Sequence, residues 1–253
     1  MHHIDINCDM GEAFGNYSMP NDAMLFDYIS SANIACGFHA GDACVMQDTV
    51  ALAIQYNVAI GAHPGLPDLQ GFGRREMNIT PREAYQITLY QIGALAAFVK
   101  AAGAKLNHVK PHGALYNMAA KDLKLAQSIA DAIYDFDPSL ILYGLAGSQL
   151  MSAASGKGLQ SASEVFADRT YQDDGSLTPR TQANAMISNE TIVLAQAISM
   201  VKQQQVMSVH QKMIPLRADT LCIHGDGEHA VAFAKTIYQA FTGEGITLKA
   251  FGK

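Results

Sequence analysis

The sequence has few basic residues and no cluster of them. Its 253 residues include 17 Lys and Arg against 23 Asp and Glu, which gives a net charge of −6. Binding to nucleic acid or to an anionic membrane surface requires clustered Lys and Arg. The composition therefore argues against nucleic-acid and membrane partners.

The sequence also lacks a hydrophobic run long enough to span a bilayer. The most apolar helical stretch, residues 92–104, is interrupted by Lys100 and is shorter than the roughly 20 residues that a bilayer requires. The first residues have neither the basic nor the apolar region of a signal peptide. No two cysteines form a Cys-x-x-Cys pair, so reduced thiols are predicted. These absences together predict a cytoplasmic protein.

Several catalytic motifs are absent as well. The sequence has no Gly-x-Ser-x-Gly nucleophile elbow and no Gly-x-Gly-x-x-Gly dinucleotide fingerprint. It also has no P-loop, because the segment around Lys157 lacks the first glycine and the Ser or Thr that follows the lysine. The remaining candidates are Asp, Glu, His and Lys side chains. Those residue types suit general acid–base hydrolysis or its metal-assisted form.

The length and the composition are typical of one globular enzyme domain. Hydrophobic residues make up 49% of the chain and charged residues 16%, which are ordinary globular values. A chain of this length can bury a large core, and barrels of alternating strands and helices commonly have this size. No linker or change in composition divides the chain, so residues 1–253 are predicted to form a single domain.

Apolar stretches of strand length alternate with segments of helical period. The helix with the clearest start follows Thr80, because Thr80 and Glu83 form a capping box with Pro81 in the first turn. Other helices are expected near residues 22–29, 42–54, 121–134, 191–202 and 228–241. Strands are expected at residues 4–8, 32–36, 58–62, 106–109, 140–145, 160–165, 220–223 and 246–251. This alternation predicts a mostly parallel sheet covered by helices, as an open doubly wound sheet or as a closed barrel.

Polar side chains gather at the ends of the predicted strands. Asp5, Asn7 and Asp9 alternate along the first strand and therefore share one face. Ionisable residues follow the ends of later strands, namely His39, Asp42, His63, Lys110, His112, Glu164, Asp168, Arg169, His224 and Asp226. Because the carboxyl ends of parallel strands meet at one rim, the pattern predicts an active site there.

Each of these residues also has a purely structural interpretation. A single histidine near a strand end is commonly a hydrogen-bonded structural residue. Asp42 and Asp226 suit helix caps, and Asn7 suits a partner for loop backbone. The number of such residues on one rim favours a site, whereas no single role follows from it. A divalent metal of the zinc or manganese kind could be held there by Asp9, His39 and His63.

Two long loops contain further candidates. Residues 66–78 include Asp68 and Arg74, and residues 166–188 include Arg169 and Arg180. Loops of this length inside a compact α/β domain are usually lids or binding loops. An arginine in such a loop can hold a carboxylate or a phosphate through two hydrogen bonds. The alternative is a solvated surface loop.

Seven collinear segments resemble the LamB/YcsF family. They are DINCDMGE at residues 5–12, NIACGFHAGD at 33–42, GAHPGLPD at 61–68, KPHGALYN at 110–117, EVFADRTY at 164–171, LTPR at 177–180 and CIHGD at 222–226. The resemblance implies a distorted parallel β/α barrel, TIM-like and of the glycoside hydrolase/deacetylase type. It also implies the activity of an ATP-dependent 5-oxoprolinase, which opens 5-oxo-L-proline to L-glutamate with ATP as cosubstrate. The chain would be the first of three components and would act with 5-oxoprolinase subunits B and C.

The implied reaction assigns roles to the candidate residues. A carboxylate, Asp9 or Glu12, is expected to be the general base, and His39 or His63 is expected to assist it. Lys110 or Arg74 is expected to hold the substrate carboxylate or a phosphate oxygen. The other substrate-binding candidates are Asn7, Asp42, Asp68, His112, Glu164, Arg169, Arg180 and His224.

Two other functions are compatible with the same residues. One is a stand-alone metal-dependent deacetylase or amidohydrolase, which would need no ATP. The other is a non-catalytic subunit whose rim binds a metabolite. The first predicts turnover without ATP, and the second predicts ligand binding without turnover even when partner subunits are present.

Overall fold

The computed structural model describes residues 2–223 and 230–252 and centres on a closed barrel. Within these residues the strands are β1 (His2–Met10), β2 (Ser31–Ala35), β3 (Ala59–His63), β4 (Leu106–Val109), β5 (Ile141–Leu145), β6 (Ser161–Phe166), β7 (Gln205–Met207), β8 (Met213–Pro215), β9 (Thr220–Ile223) and β10 (Ile246–Leu248). The barrel order is β1-β2-β3-β4-β5-β6-β9, and β9 pairs with β1 to close a parallel ring. The TIM-like α/β barrel is thus confirmed, and the open doubly wound sheet is excluded.

The helices surround this barrel. They are α1 (Asp22–Leu25), α2 (Ala43–Gln55), α3 (Pro81–Ala101), α4 (Gly113–Lys121), α5 (Leu123–Phe136), α6 (Gln149–Lys157), α7 (Glu190–Gln203) and α8 (Ala230–Gly243). Strand β10 pairs with the first residues of β1, and β7 and β8 form an antiparallel hairpin outside the barrel. Within residues 2–223 and 230–252, no helix is long and apolar enough to cross a membrane.

Side-chain caps mark the starts of α2, α3, α5 and α7. The Thr80 side chain accepts a hydrogen bond from the Glu83 backbone N–H, and the Glu83 carboxylate accepts one from the Thr80 backbone N–H, as the capping box predicts. The expected helix at 121–134 is wrong in its start. Two helices, α4 and α5, meet at Asp122, whose carboxylate accepts from Lys124 and Leu125 N–H groups and caps α5.

The barrel interior is polar, whereas the space between strands and helices is apolar. On β1, Ile4 and Ile6 are fully buried in the hydrophobic core. The alternate residues make polar contacts with neighbouring barrel strands, since Asn7 donates to Thr220 Oγ1 on β9 and accepts from Asn33 Nδ2 on β2. The period-2 prediction for this strand is therefore confirmed. These hydrogen bonds inside the barrel fix the positions of the polar side chains that lie below the carboxyl-end rim.

A glycine on β3 is required by a buried histidine on β4. Gly61 pairs with His108, and a Cβ atom at Gly61 would lie 2.0 Å from His108 Nε2. The ring cannot simply move away, because it stacks on Tyr143 with centroids 4.1 Å apart and its Nε2 lies 2.8 Å from Asn33 Oδ1. The close approach lies at the register shift between β3 and β4, which falls between Ile60 and Gly61.

We expect Gly61→Ala to lower the free energy of unfolding by about 1–3 kcal/mol, because the added methyl group overpacks a rigid interior. Urea denaturation followed by circular dichroism would measure the change. Gly93→Ala is the matched control, since Gly93 lies inside α3 with nothing within 4 Å of an added Cβ. That control should gain about 0.5–1 kcal/mol from helix propensity. Equal effects of the two substitutions would contradict the proposed clash.

Candidate functional site

A cavity of about 230 Å³ opens at the carboxyl-end rim of the barrel. Eight of the residues singled out in the sequence line it, namely Asp9, His63, Arg74, Lys110, His112, Glu164, Arg169 and Arg180. They come from the ends of β1, β3, β4 and β6 and from the two long loops. The structure thus brings together side chains that are far apart in the sequence.

Lys110 forms the floor of this cavity. Its Nζ lies 2.8 Å from Glu164 Oε1, 3.0 Å from Asp9 Oδ1 and 3.0 Å from Asn7 Oδ1. Only 5% of the Lys110 side chain is exposed. Burial favours the neutral amine, but Asp9 and Glu164 outweigh it and hold the pKa of Lys110 well above its usual value. A charged ammonium group therefore lies between two carboxylates.

Asp9 lies between this lysine and a group of histidines. Its Oδ1 accepts from Lys110 Nζ and from Asn33 Nδ2 at 2.9 Å, and its Oδ2 lies 3.3 Å from His63 Nε2. Burial raises the pKa of Asp9, but His63 and Lys110 outweigh burial and hold the pKa well below its usual value. Because 15% of the side chain remains exposed, an ionised carboxylate faces the cavity.

Three histidines and Glu12 pack against Asp9. The His39 and His112 rings are parallel with centroids 3.7 Å apart, and the His63 ring is nearly perpendicular to both. Glu12 Oε1 lies 3.0 Å from His39 Nε2 and 3.4 Å from His112 Nδ1. One donor atom from each of these four residues lies within 4.8 Å of the others. This group, here called the histidine cluster (Glu12, His39, His63 and His112), could hold a metal ion.

Burial keeps two of these histidines neutral. It lowers the pKa of His112 to about 3, with a further contribution from His63. Burial, followed by the neighbouring His112 and His63, holds the pKa of His39 well below its usual value. Neutral imidazoles are the form that ligates metals, so the chemistry of the donor set fits a divalent cation.

A tyrosine that sequence reasoning did not select completes the cavity wall. The Tyr116 hydroxyl donates to Glu164 Oε2 at 2.6 Å. Burial and the Glu164 carboxylate hold the pKa of Tyr116 well above its usual value, so the hydroxyl stays a neutral donor. Tyr116 lies on α4, a helix that the apolar pattern did not reveal. The one available signal was its place in the segment 110–117.

Arginines from the two long loops form the outer side of the cavity. Arg74 and Arg180 are exposed, and the Arg74 guanidinium lies over the Phe72 ring at 5.0 Å. Arg169 is 6% exposed and donates to the Thr178 and Ala185 carbonyl oxygens, which organises its own loop. Positive charge at the cavity mouth therefore faces the Asp9–Lys110 pair.

Two predicted substrate-binding residues, Asp42 and Asp68, bind backbone N–H groups of loops and of a helix start. Asp42 caps α2 by accepting from the Val45 N–H and also accepts from the Gly15 N–H. Asp68 forms an ion pair with Arg75 and accepts from the Gly71 N–H. These hydrogen bonds lower the pKa of both carboxyl groups. Neither residue is among those that line the cavity.

The other residues predicted from the sequence do not line the cavity directly or lie outside the described residues. Asn7 lies behind Lys110, in the fully buried interior. Glu12 and His39 contact the cavity residues through the histidine cluster. His224 and Asp226 lie outside the described residues, so their predicted positions stay untested.

Comparisons with known proteins point to one family over almost the whole chain. The family described as "LamB/YcsF family" matches residues 4–253. A relative from Geobacillus thermodenitrificans, named as the A subunit of 5-oxoprolinase, is 58% identical over 253 residues. That match covers 100% of this chain and 98% of the relative.

Solved structures agree with the fold. The lactam utilization protein from Thermus thermophilus superimposes with a TM-score of 0.94 at 42% identity, and the match covers 98% of this chain and 100% of that protein. A family 4 carbohydrate esterase from Streptomyces lividans superimposes with a TM-score of 0.52 at 11% identity, covering 99% and 93%. The second likeness shows the barrel fold alone.

Proposed function

Because the chain belongs to the LamB/YcsF family, we propose that it is the A subunit of an ATP-dependent 5-oxoprolinase. In this proposal it opens the lactam of 5-oxo-L-proline to L-glutamate and is coupled to hydrolysis of ATP to ADP and phosphate. The proposal includes subunits B and C as its partners. The names of the relatives support a lactam hydrolase with more than one subunit.

The observation that carries the proposal is the Asp9–Lys110 pair at the floor of a small cavity with arginines at its mouth. A 5-oxoproline molecule has a carboxylate at one end and an amide at the other. Arg74 or Arg180 suits the carboxylate, because a guanidinium can bind it through two hydrogen bonds. The amide would then point to the floor, where Asp9 and Lys110 lie.

The coupling to ATP has a chemical reason. An unstrained five-membered lactam resists attack by water, so its ring carbon must first be made more electrophilic. Phosphoryl transfer from ATP to that oxygen releases ADP and gives an imidate phosphate. Water then adds to the ring carbon, and the C–N bond breaks as the nitrogen takes up a proton. A second water hydrolyses the resulting acyl phosphate to glutamate and phosphate.

This chain supplies groups for the attack of water on the activated ring. Asp9 accepts the proton of the attacking water, because it is ionised and exposed to the cavity. The Lys110 ammonium stabilises the negative charge of the phosphoryl group carried by the amide oxygen. The Tyr116 hydroxyl keeps Glu164 in place beside that ammonium.

The reaction also needs an ATP site and can use a divalent metal, and the side chains of this chain alone supply neither. The sequence has no P-loop, so we assign binding or completion of the ATP site to the partner subunits. A divalent metal, when bound at the histidine cluster, would polarise the amide oxygen or lower the pKa of a water molecule.

The decisive test is an assay of this chain with 5-oxoproline and ATP, alone and together with subunits B and C. We expect L-glutamate, ADP and phosphate to form in equal amounts only in the complete mixture. Glutamate formation by the chain alone would overturn the shared handling of ATP. ATP-independent hydrolysis of an N-acetyl substrate would favour the deacetylase. Thermal stabilisation by 5-oxoproline without turnover in the complete mixture would favour a binding subunit.

A further inference from the structure

The histidine cluster has a geometry that neutral imidazoles alone do not explain. His63 Nδ1 lies 2.7 Å from the Lys110 carbonyl oxygen, and His112 Nε2 lies 2.8 Å from the Phe72 carbonyl oxygen. A carbonyl oxygen only accepts, so both nitrogens carry hydrogen. In a neutral imidazole the other nitrogen is then an acceptor. Those two acceptors, His63 Nε2 and His112 Nδ1, lie only 2.9 Å apart.

Two carboxylates approach the same lone pairs. Asp9 Oδ2 lies 3.3 Å from His63 Nε2, and Glu12 Oε1 lies 3.4 Å from His112 Nδ1. Four electron-rich atoms are thus joined by three short contacts. A proton on His63 Nε2 can bridge its contact with Asp9 or its contact with His112, and it leaves the contact between His112 Nδ1 and Glu12 Oε1 without a hydrogen. A divalent cation bound by His63 Nε2, His112 Nδ1 and Glu12 Oε1 makes the contacts among these three atoms favourable, and the negative charge of Asp9 is favourable beside such a cation.

The separations match those between the ligands of a metal ion. Zinc lies about 2.0–2.2 Å from its nitrogen and oxygen ligands, which places neighbouring ligands about 2.9–3.5 Å apart in octahedral or tetrahedral geometry. The contacts of His112 Nδ1 with His63 Nε2 and with Glu12 Oε1, 2.9 and 3.4 Å, both fall in that interval. In addition, metal-bound histidines usually donate their other N–H to a carbonyl or carboxylate. His63 and His112 both do so.

His39 is unsuited to be a ligand together with His112. An imidazole binds a metal in the plane of its ring. The two rings are parallel within 3° and stacked with centroids 3.7 Å apart, so an ion in one plane lies well outside the other. His39 Nε2 instead lies 3.0 Å from Glu12 Oε1. Its Nδ1 has no hydrogen-bond partner among the described residues, so no acceptor fixes the tautomer that a ligand needs.

We propose that His63 Nε2, His112 Nδ1 and Glu12 Oε1 bind a divalent metal of the zinc or manganese kind. His39 is a positioning residue that acts through Glu12. Relative to the set Asp9, His39 and His63 expected from the sequence, this assignment keeps His63 and replaces Asp9 and His39 by Glu12 and His112. The proposal concerns metal binding and does not require that the lactam be the substrate.

The test measures metal binding directly on the full chain after dialysis against a chelator. Calorimetric titration with zinc chloride and manganese chloride should show one equivalent of metal. X-ray absorption of the zinc-loaded chain should count two imidazole ligands. His112→Gln should weaken binding by more than about 100-fold and leave one imidazole. His39→Gln should weaken it by at most about 10–100-fold, as for an outer-shell partner, and keep two imidazoles.

His210→Gln is the matched control, because the His210 side chain is 67% exposed and lies outside the histidine cluster. Its metal affinity should equal that of the wild type. Circular dichroism would show whether each variant folds, and Glu12→Gln, which removes an oxygen donor, is the second variant. Absence of stoichiometric metal, or loss of an imidazole in His39→Gln, would overturn the proposal. A missing 5-oxoprolinase activity would leave the metal result unchanged, so the two failures are distinguishable.

Discussion

The Asp9→Asn variant is expected to lose about 100- to 10,000-fold in kcat for ATP-dependent 5-oxoproline cleavage by the complete complex. Asparagine has nearly the same shape, and its amide oxygen can still accept from Lys110 and Asn33. It cannot accept a proton from water, and that proton transfer is the step we assign to Asp9. Initial rates of glutamate formation at saturating ATP would measure the effect. KM for 5-oxoproline should change little, because the substrate carboxylate is assigned to the arginines.

Asp48→Asn provides the matched control for this experiment. Asp48 is an exposed carboxylate on α2, outside the residues that line the cavity. Its substitution removes the same charge and should leave kcat and KM at their wild-type values. A reconstituted Asp9→Asn complex with wild-type kcat would contradict the assignment of Asp9. A rise in KM with unchanged kcat would instead place Asp9 in substrate binding.

Much of the fold was predictable because its signals are local. The capping box at Thr80 and Glu83 set the start of α3, and the alternation of polar and apolar residues on β1 set which side faces the barrel interior. The closed barrel itself came from family resemblance, since an alternating pattern also suits an open sheet. Helices α4 and α6 were missed because each has only nine residues, which is too short for the spacing of apolar residues to mark a helix clearly.

The sequence predicted which edge of the barrel holds the candidate site. It predicted less well which side chains contact one another there. Side chains at strand ends must converge when the strands are parallel, so Asp9, His63 and Lys110 were found from their positions alone. Which side chains form ion pairs or hydrogen bonds depends on three-dimensional distances, and the spacing of residues along the sequence does not give those distances. His108 on β4 lies two residues before Lys110 and faces the barrel interior by the same alternation, but it was not selected. Asp42 had two interpretations, and the structure shows the helix cap.

The buried charges at the cavity floor lead to the second large expected effect, which concerns stability. Lys110→Met keeps the length of the side chain but removes the ammonium group between Asp9 and Glu164. The Glu164 side chain is fully buried, and that of Asp9 is 15% exposed. Loss of one partner from a buried ion pair leaves an uncompensated charge and costs about 3–5 kcal/mol. Urea denaturation of the isolated chain would measure the free energy of unfolding.

Two further variants separate this electrostatic cost from a change in packing. Lys157→Met removes a surface lysine whose Nζ lies 2.6 Å from Asp131 Oδ1 with both side chains partly exposed, so it should cost at most about 1 kcal/mol. Lys110→Met combined with Glu164→Gln removes the uncompensated charge together with its partner. The double variant should therefore be more stable than Lys110→Met alone, which a packing defect at position 110 would not produce. If Lys110→Met were no less stable than Lys157→Met, Lys110 would not compensate the carboxylates at the cavity floor.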